Sequence, residues 1–294
     1  MTADAAALRD RIERVAADAG GVFGVSATHL GSGDHFGYNE DTLFPLASVM
    51  KVPLLVALFS EARAGRIDLG ERVVYGAADA VAGSGVLQHL DEGLAPTLRD
   101  LAVLMVIASD NTAADLLLER VTKEKVDRAM DELGLPSIRI PLGIHEMLCD
   151  LVDMTPEEGR AQPEELRARL RVSAGSGGRS IVPEEGDRGT ARDLCRLFEL
   201  IESRAILDAA ACEEILDICE RQQASSRIPA RLPQGTVTAH KTGSIRGVRN
   251  DIGIVYAPSG PYAIALLSRA LPDGELGRRA LADISLAVYE HFAR

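Results

Sequence analysis

The 294 residues carry 32 basic and 44 acidic side chains, a formal net charge of −12. No basic face is available to neutralise phosphates, which excludes nucleic acid and anionic membrane as main partners. Apolar residues make up 46% of the chain, enough for one large domain or two intertwined ones, and no apolar run approaches the length that crosses a bilayer.

The first twenty residues carry acidic side chains where an export signal has basic charge and an apolar stretch. Ala7, Leu8, Ile12 and Val15 recur there at helical spacing, so an amphipathic helix and a cytoplasmic location are expected. Residues 21–30 alternate like a strand and end at Gly-Ser-Gly-Asp (31–34), a hairpin signal, with a second strand following. Residues 48–64 have helical periodicity, with Lys51 and Pro53 in the first turn and Gly65 at the end. The pattern from 98 to 128 is helical and broken at 109–111, and more helix signals fall at 123–133, 157–171, 190–201 and 208–221. SAGSGG (173–178) reads as a surface loop. Residues 235–244, 248–257 and 261–270 read as an antiparallel meander, followed by a helix over 276–292.

Strand material at both ends with helices between predicts an α+β fold, an antiparallel sheet built from both chain ends with flanking helices and an inserted all-helical lobe. The expected division is 1–46 with 205–294 for the sheet domain and 47–204 for the helical domain, with the active site between them. Cys149, Cys195, Cys212 and Cys219 form no C-x-x-C pair, and Cys212 and Cys219 read as core positions. With the six histidines scattered, neither a metal nor another cofactor is expected.

Three short motifs stand in order. Ser48-Val49-Met50-Lys51 fits S-x-x-K at the start of an apolar helix, Ser109-Asp110-Asn111 fits S-D-N within helices, and Lys241-Thr242-Gly243 fits K-T-G on a strand. Taken singly each has an ordinary structural explanation: a helix N-cap with a solvated lysine, a capping cluster, a strand with a bulge. Together they carry chemistry. Positions i and i+3 share a helix face, so Lys51 can reach the Ser48 hydroxyl. A serine hydroxyl needs a nearby base to become a nucleophile, and a helix start offers an N–H to a developing oxyanion.

The same three motifs mark class A β-lactamases and penicillin-binding proteins, and the chain resembles that family along essentially its whole length. The resemblance implies that Ser48 is acylated, that Lys51 is the base or proton relay, and that Ser109 passes a proton to the leaving nitrogen. It implies that Asn111 holds Lys51 and a substrate amide, and that Lys241 and Thr242 bind a substrate carboxylate. The N–H groups of Ser48 and Ser244 would form the oxyanion hole, Gly243 would allow close backbone approach, and Arg249 would be a second carboxylate contact.

One departure stands out. Class A enzymes free the acyl group with a glutamate in an E-x-x-L-N setting between S-D-N and K-T-G, and that setting is missing. Asp187 and Thr190 match the end of that loop, but upstream VSAGSGGRSI carries no carboxylate, and the candidates are Glu157, Glu158, Glu164 and Glu165 on an expected helix, and Glu184 and Glu185 too close to the matching end. The expected function is a serine hydrolase acting through a Ser48 acyl-enzyme on a small amide, ester or β-lactam bearing a carboxylate, with slow lactam turnover. The alternatives are a peptidase or esterase without useful lactam turnover, and a non-catalytic sensor of β-lactams or peptides.

Overall fold

The structure, a computed structural model, describes residues 3–172 and 178–293. All but Gly178 of the expected SAGSGG loop lies outside the described residues. The chain divides into two compact units, Met1–Val49 with Gly189–Arg294, and Met50–Arg188.

The first unit is built on a five-stranded antiparallel sheet. Its strands are β1 (Val22–His29), β2 (His35–Tyr38), β5 (Val237–Ile245), β6 (Val248–Ala257) and β7 (Gly260–Arg269), in the order β2-β1-β7-β6-β5. Two tight connections fall on glycines in the left-handed region, Gly33 (φ +77°) and Gly247 (φ +68°), where a side chain would be strained. Strand alternation sends Phe23, Val25, Tyr262, Ile264 and Leu266 to one face. There they join Leu8 and Ile12 of α1 (Ala3–Ala19) and Leu281, Ile284 and Val288 of α11 (Gly274–Phe292) in one core. The opposite face meets α9 (Ala191–Glu202), where the buried Cys195 Sγ lies 3.9 Å from Thr28 Oγ1. α10 (Ala209–Glu220) covers β5, and Cys212 and Cys219 on it are buried and unpaired, as are Cys149 and Cys195. A short strand β3 (Leu43–Pro45) leads to the Ser48 turn.

The second boundary falls at 188/189, just inside the short strand β4 (Arg188–Thr190), and not at 204/205. The reason is α9, whose apolar stripe of Leu194, Cys195, Leu197, Phe198 and Ile201 is buried and packs on β1, β6 and β7 of the sheet.

The second unit is helical. α2 (Lys51–Arg63) is buried continuously from Lys51 to Phe59, the pattern of a helix enclosed on every side. α3 (Leu98–Ile107), α4 (Asn111–Val121) and α5 (Lys123–Glu132) pack against it. The expected helix over 157–171 is two, α7 (Pro156–Ala161) and α8 (Pro163–Val172), because Pro163 cannot continue α7. A helix absent from the sequence reading, α6 (Ile144–Asp150), precedes them. Asp115 on α4 holds its start, accepting from the N–H groups of Ile144 (2.7 Å) and His145 (2.8 Å). Among the described residues no helix is long and apolar enough to cross a membrane.

Candidate active site

In the sheet unit, Ala47–Met50 forms a 3₁₀ turn that runs straight into α2, so the expected helix over 48–64 begins in the tighter form. Ala47 sits at φ +49°, a conformation that costs a non-glycine residue about 1 kcal/mol or more unless its surroundings enforce it. They do. Asn250, fully buried on β6, donates from Nδ2 to the carbonyls of Pro45 (2.8 Å) and Leu46 (3.0 Å), while its Oδ1 accepts from Ser268 N–H (2.9 Å). Gly243 does the rest: a Cβ there would lie 2.7 Å from Leu46 O and 3.0 Å from Val49 N, so only glycine lets β5 run against the backbone that carries Ser48. Ser48 itself is partly exposed.

Lys241 and Thr242 are buried on β5, and Ser244 is exposed. Lys241 Nζ donates to Thr242 O at 2.8 Å. Burial pushes its ammonium down to about 7, against the pull of Asp251 and with the push of the Arg227 charge. Arg227, which no motif signalled, is buried at this strand. Its Nη1 donates to Gly243 O (2.9 Å) and Asn250 O (2.6 Å), and its Nη2 reaches Ser244 Oγ. Burial lowers its pKa to about 10. Asp251, fully buried, accepts from His240 Nδ1 (2.9 Å) and from Ile228 N–H (2.9 Å), fixing the segment beside Arg227.

Arg249 does not occupy the place the motif reading gave it. Its Nη1 donates to the carbonyls of Ile245 (2.8 Å) and Val248 (2.7 Å), which turns the guanidinium onto its own hairpin. Arg227, and not Arg249, is the guanidinium bonded to Ser244.

In the helical unit, Lys51 is fully buried and its Nζ lies among four oxygens: Ser109 O (2.7 Å), Asn111 Oδ1 (2.8 Å), Ser109 Oγ (3.3 Å) and Asp110 O (3.4 Å). Lys51 and S-D-N are thus one hydrogen-bonded cluster. Ser109 is held at φ +53°, which aims both its carbonyl and its hydroxyl at Lys51. Asp110 caps α4 through Ala113 N–H (3.0 Å), as a capping cluster should, and also accepts from Val86 N–H (2.6 Å) and Leu87 N–H (2.8 Å). Ser84 completes the clamp, donating to Ser109 O (2.8 Å) and Asn111 Oδ1 (3.2 Å), and Asn111 Nδ2 donates to Ala82 O (2.8 Å).

The six glutamates between S-D-N and K-T-G that remained as deacylation candidates are all exposed. Glu158 closes the capping box of α7, Glu164 pairs with Arg167 and Glu165 with Arg169. Glu146, on the unforeseen α6, caps Gly143 N–H (2.7 Å) and pairs with Lys123 (2.8 Å). Asp187 is buried, accepts from Leu142 N–H (3.1 Å), and has its second oxygen without a partner among the described residues. Burial raises its pKa to about 8.

With this geometry in view, comparison with known proteins is decisive. The sequence model of the beta-lactamase enzyme family matches residues 7–292. The chain belongs to that family. The beta-lactamase regulatory protein BlaB of Streptomyces cacaoi is 26% identical over 274 residues, 86% of each chain. A beta-lactamase from Sphaerobacter thermophilus superposes with a TM-score of 0.80 at 28% identity, over 98% of this chain and 97% of that one. PBP-A, a variant of which was solved as its acyl-enzyme complex with penicillin G, superposes with a TM-score of 0.79 at 26% identity, over 98% and 96%. The α+β fold expected from the strand and helix order, and its β-lactamase type implied by the resemblance, are therefore the fold of this chain.

Proposed function

We propose that this protein is a serine hydrolase of the β-lactamase type that is acylated at Ser48 by β-lactams and by amides or esters bearing a carboxylate, and that it sheds the acyl group slowly. Ser48 Oγ attacks the carbonyl carbon while its proton passes to Lys51. The N–H groups of Ser48 and Ser244 receive the oxyanion. The C–N or C–O bond then breaks as Ser109 delivers a proton to the leaving atom, and Lys51 restores the proton to Ser109. Lys241 and Thr242 hold the substrate carboxylate, with Arg227 bracing Ser244 beside them.

The observation that carries this reading is the placement of Lys51 Nζ, 3.3 Å from Ser109 Oγ and 2.8 Å from Asn111 Oδ1. A proton relay needs that contact, and a merely structural lysine has no use for a hydroxyl held by a strained backbone. Family membership supports the reaction type. A fluorescent penicillin should label the protein covalently, and Ser48→Ala should remove the label. Absence of any adduct with penicillins and activated esters would defeat the proposal.

The solvated state of the six glutamates favours a second reading of the same site, in which a long-lived acyl-enzyme serves as a signal of β-lactam. The regulatory role in the printed name of the Streptomyces relative agrees with it. An adduct that never clears would favour the sensor, and one that clears over minutes the slow hydrolase.

A further inference from the structure

Helices α7 and α8 border a concavity in the helical unit. Gly159 lets α7 settle on α6, since a Cβ there would lie 2.3 Å from Cys149 Sγ. Between these helices and residues 75–92 lies a cavity of about 490 Å³, inside the range of about 300–1,000 Å³ typical of small-molecule sites. Its wall is made of the short side chains Ala77, Ala80 and Ala82, with the buried Tyr75 and Leu166. Small residues leave the room, and the two larger ones supply apolar surface.

Arg160 and Arg167 also line the cavity. Arg160 makes a long bond of 3.4 Å to Ala78 O, and Arg167 pairs with Glu164, whose side chain is 81% exposed. A guanidinium has five N–H donors, so both retain donors for an incoming anion. Asp91 and Glu92 line the cavity too and are exposed, which matches it to one anionic group and not to several. The cavity is also wired to the catalytic cluster. Ala82 lines it, and the Ala82 carbonyl accepts from Asn111 Nδ2, two residues before Ser84 reaches Ser109 O and Asn111 Oδ1.

We propose that this cavity binds a small amphipathic carboxylic acid, an aryl or alkyl body with a single carboxylate, and that its occupancy tunes acylation at Ser48. The second clause rests on the proposed function; the first does not. Such a group can come from the distal end of the substrate's own acyl arm or from a free acid.

The probe is 4-phenylbutyrate, titrated calorimetrically into the full chain and into its Ser48→Ala variant, with 4-phenylbutanol as the uncharged control. Submillimolar binding of the acid to both proteins is expected, with the alcohol at least about tenfold weaker. Arg160→Ala combined with Arg167→Ala should weaken binding about tenfold, and Ala80→Phe should abolish it by filling the cavity. Arg160 is exposed and Arg167 partly so, and the double arginine variant keeps the test valid if Ala80→Phe unfolds the protein. The acid should also change the rate of penicillin labelling in the wild type. Competition with penicillin would identify the cavity as the seat of the substrate's acyl arm, and a changed limiting rate would identify a separate effector. No binding, or binding unaltered by the double arginine variant, overturns the site. Unaltered labelling at saturating acid overturns the coupling. Because binding is read on Ser48→Ala, failure of acylation and failure of the site are told apart.

Discussion

Two stretches of the helical unit handle their polar groups in opposite ways. Around Lys51, residues 82–87 and 109–111 are knitted together: four oxygens face Nζ, Asp110 accepts three backbone N–H groups, and Ser84 bridges Ser109 and Asn111. The backbone is strained to achieve it, with Ser109 at φ +53°. Between residues 156 and 185 the six acids instead face water, Glu158 in a cap and Glu164 and Glu165 in helix-surface pairs. Strain of this kind persists only where surrounding bonds enforce it, and it collects at reactive sites. Exposed i,i+3 and i,i+4 pairs contribute only a few tenths of a kcal/mol. The Lys51 cluster is therefore pre-organised, as the proposed acylation requires, while the acids between residues 156 and 185 serve local folding.

The largest expected effect breaks the first stretch. Lys51→Ala removes the proposed base, and the second-order rate of penicillin labelling, followed by stopped-flow fluorescence, should fall by roughly 10²–10⁴. A fall of less than tenfold would mean another group takes the Ser48 proton. Ser84→Ala leaves the motifs untouched but removes the bonds to Ser109 O and Asn111 Oδ1, and should cost about tenfold in the same rate with thermal stability little changed. An unaltered rate would show that the clamp is decorative.

A pH series sharpens the account of the sheet unit. With the Lys241 ammonium lowered to about 7, its charge is lost as pH rises through neutrality. The apparent affinity for a penicillin, whose carboxylate stays ionised, should weaken severalfold between pH 6 and 8.5. An uncharged activated ester should show no such loss. Parallel profiles for the two would remove Lys241 from carboxylate binding.

Asp187 supplies a stability test. Its folded pKa, about 8, is above the unfolded value of 3.8, so the native state holds the extra proton between these limits. Its contribution is fully present below pH 4 and declines as pH rises to about 8. Asp187→Asn should remove that decline, gaining roughly 4 kcal/mol relative to wild type between pH 5 and 9 in urea unfolding. A pH-independent difference would contradict the buried, neutral carboxyl. The smallest effect is expected from Glu157, Glu164, Glu165, Glu184 and Glu185. Each changed to Gln should leave the lifetime of the penicillin adduct within about twofold. A tenfold longer lifetime for any one would identify a deacylating base.

Much of this was legible in the chain itself. The three motifs, the meander and the terminal helices carry local signals: periodicity, tight turns, a first-turn proline. The supporting residues carry none. Ser84 precedes Ser109 by 25 residues, Asn250 follows Leu46 by 204, and Arg227 reaches Ser244 from a 3₁₀ boundary, so only the folded contacts reveal them. Arg249 misled because adjacency to K-T-G suggests a role, whereas its side chain turns onto the carbonyls of Ile245 and Val248. The α6 helix escaped because it starts on Gly143 and is held by Asp115, 29 residues upstream. α9 was placed in the wrong unit because its apolar stripe does not say which partner it will cover.

In the proposed cycle Ser48 is acylated and then released slowly. Intact-protein mass spectrometry after mixing with excess benzylpenicillin tests it directly. Within the mixing time the protein should gain the mass of one penicillin on the peptide containing Ser48, and the adduct should outlast removal of free drug by minutes or longer. Rapid penicillin consumption with only the unmodified mass ever present would contradict the account, because it would require an efficient deacylating group that these residues do not supply.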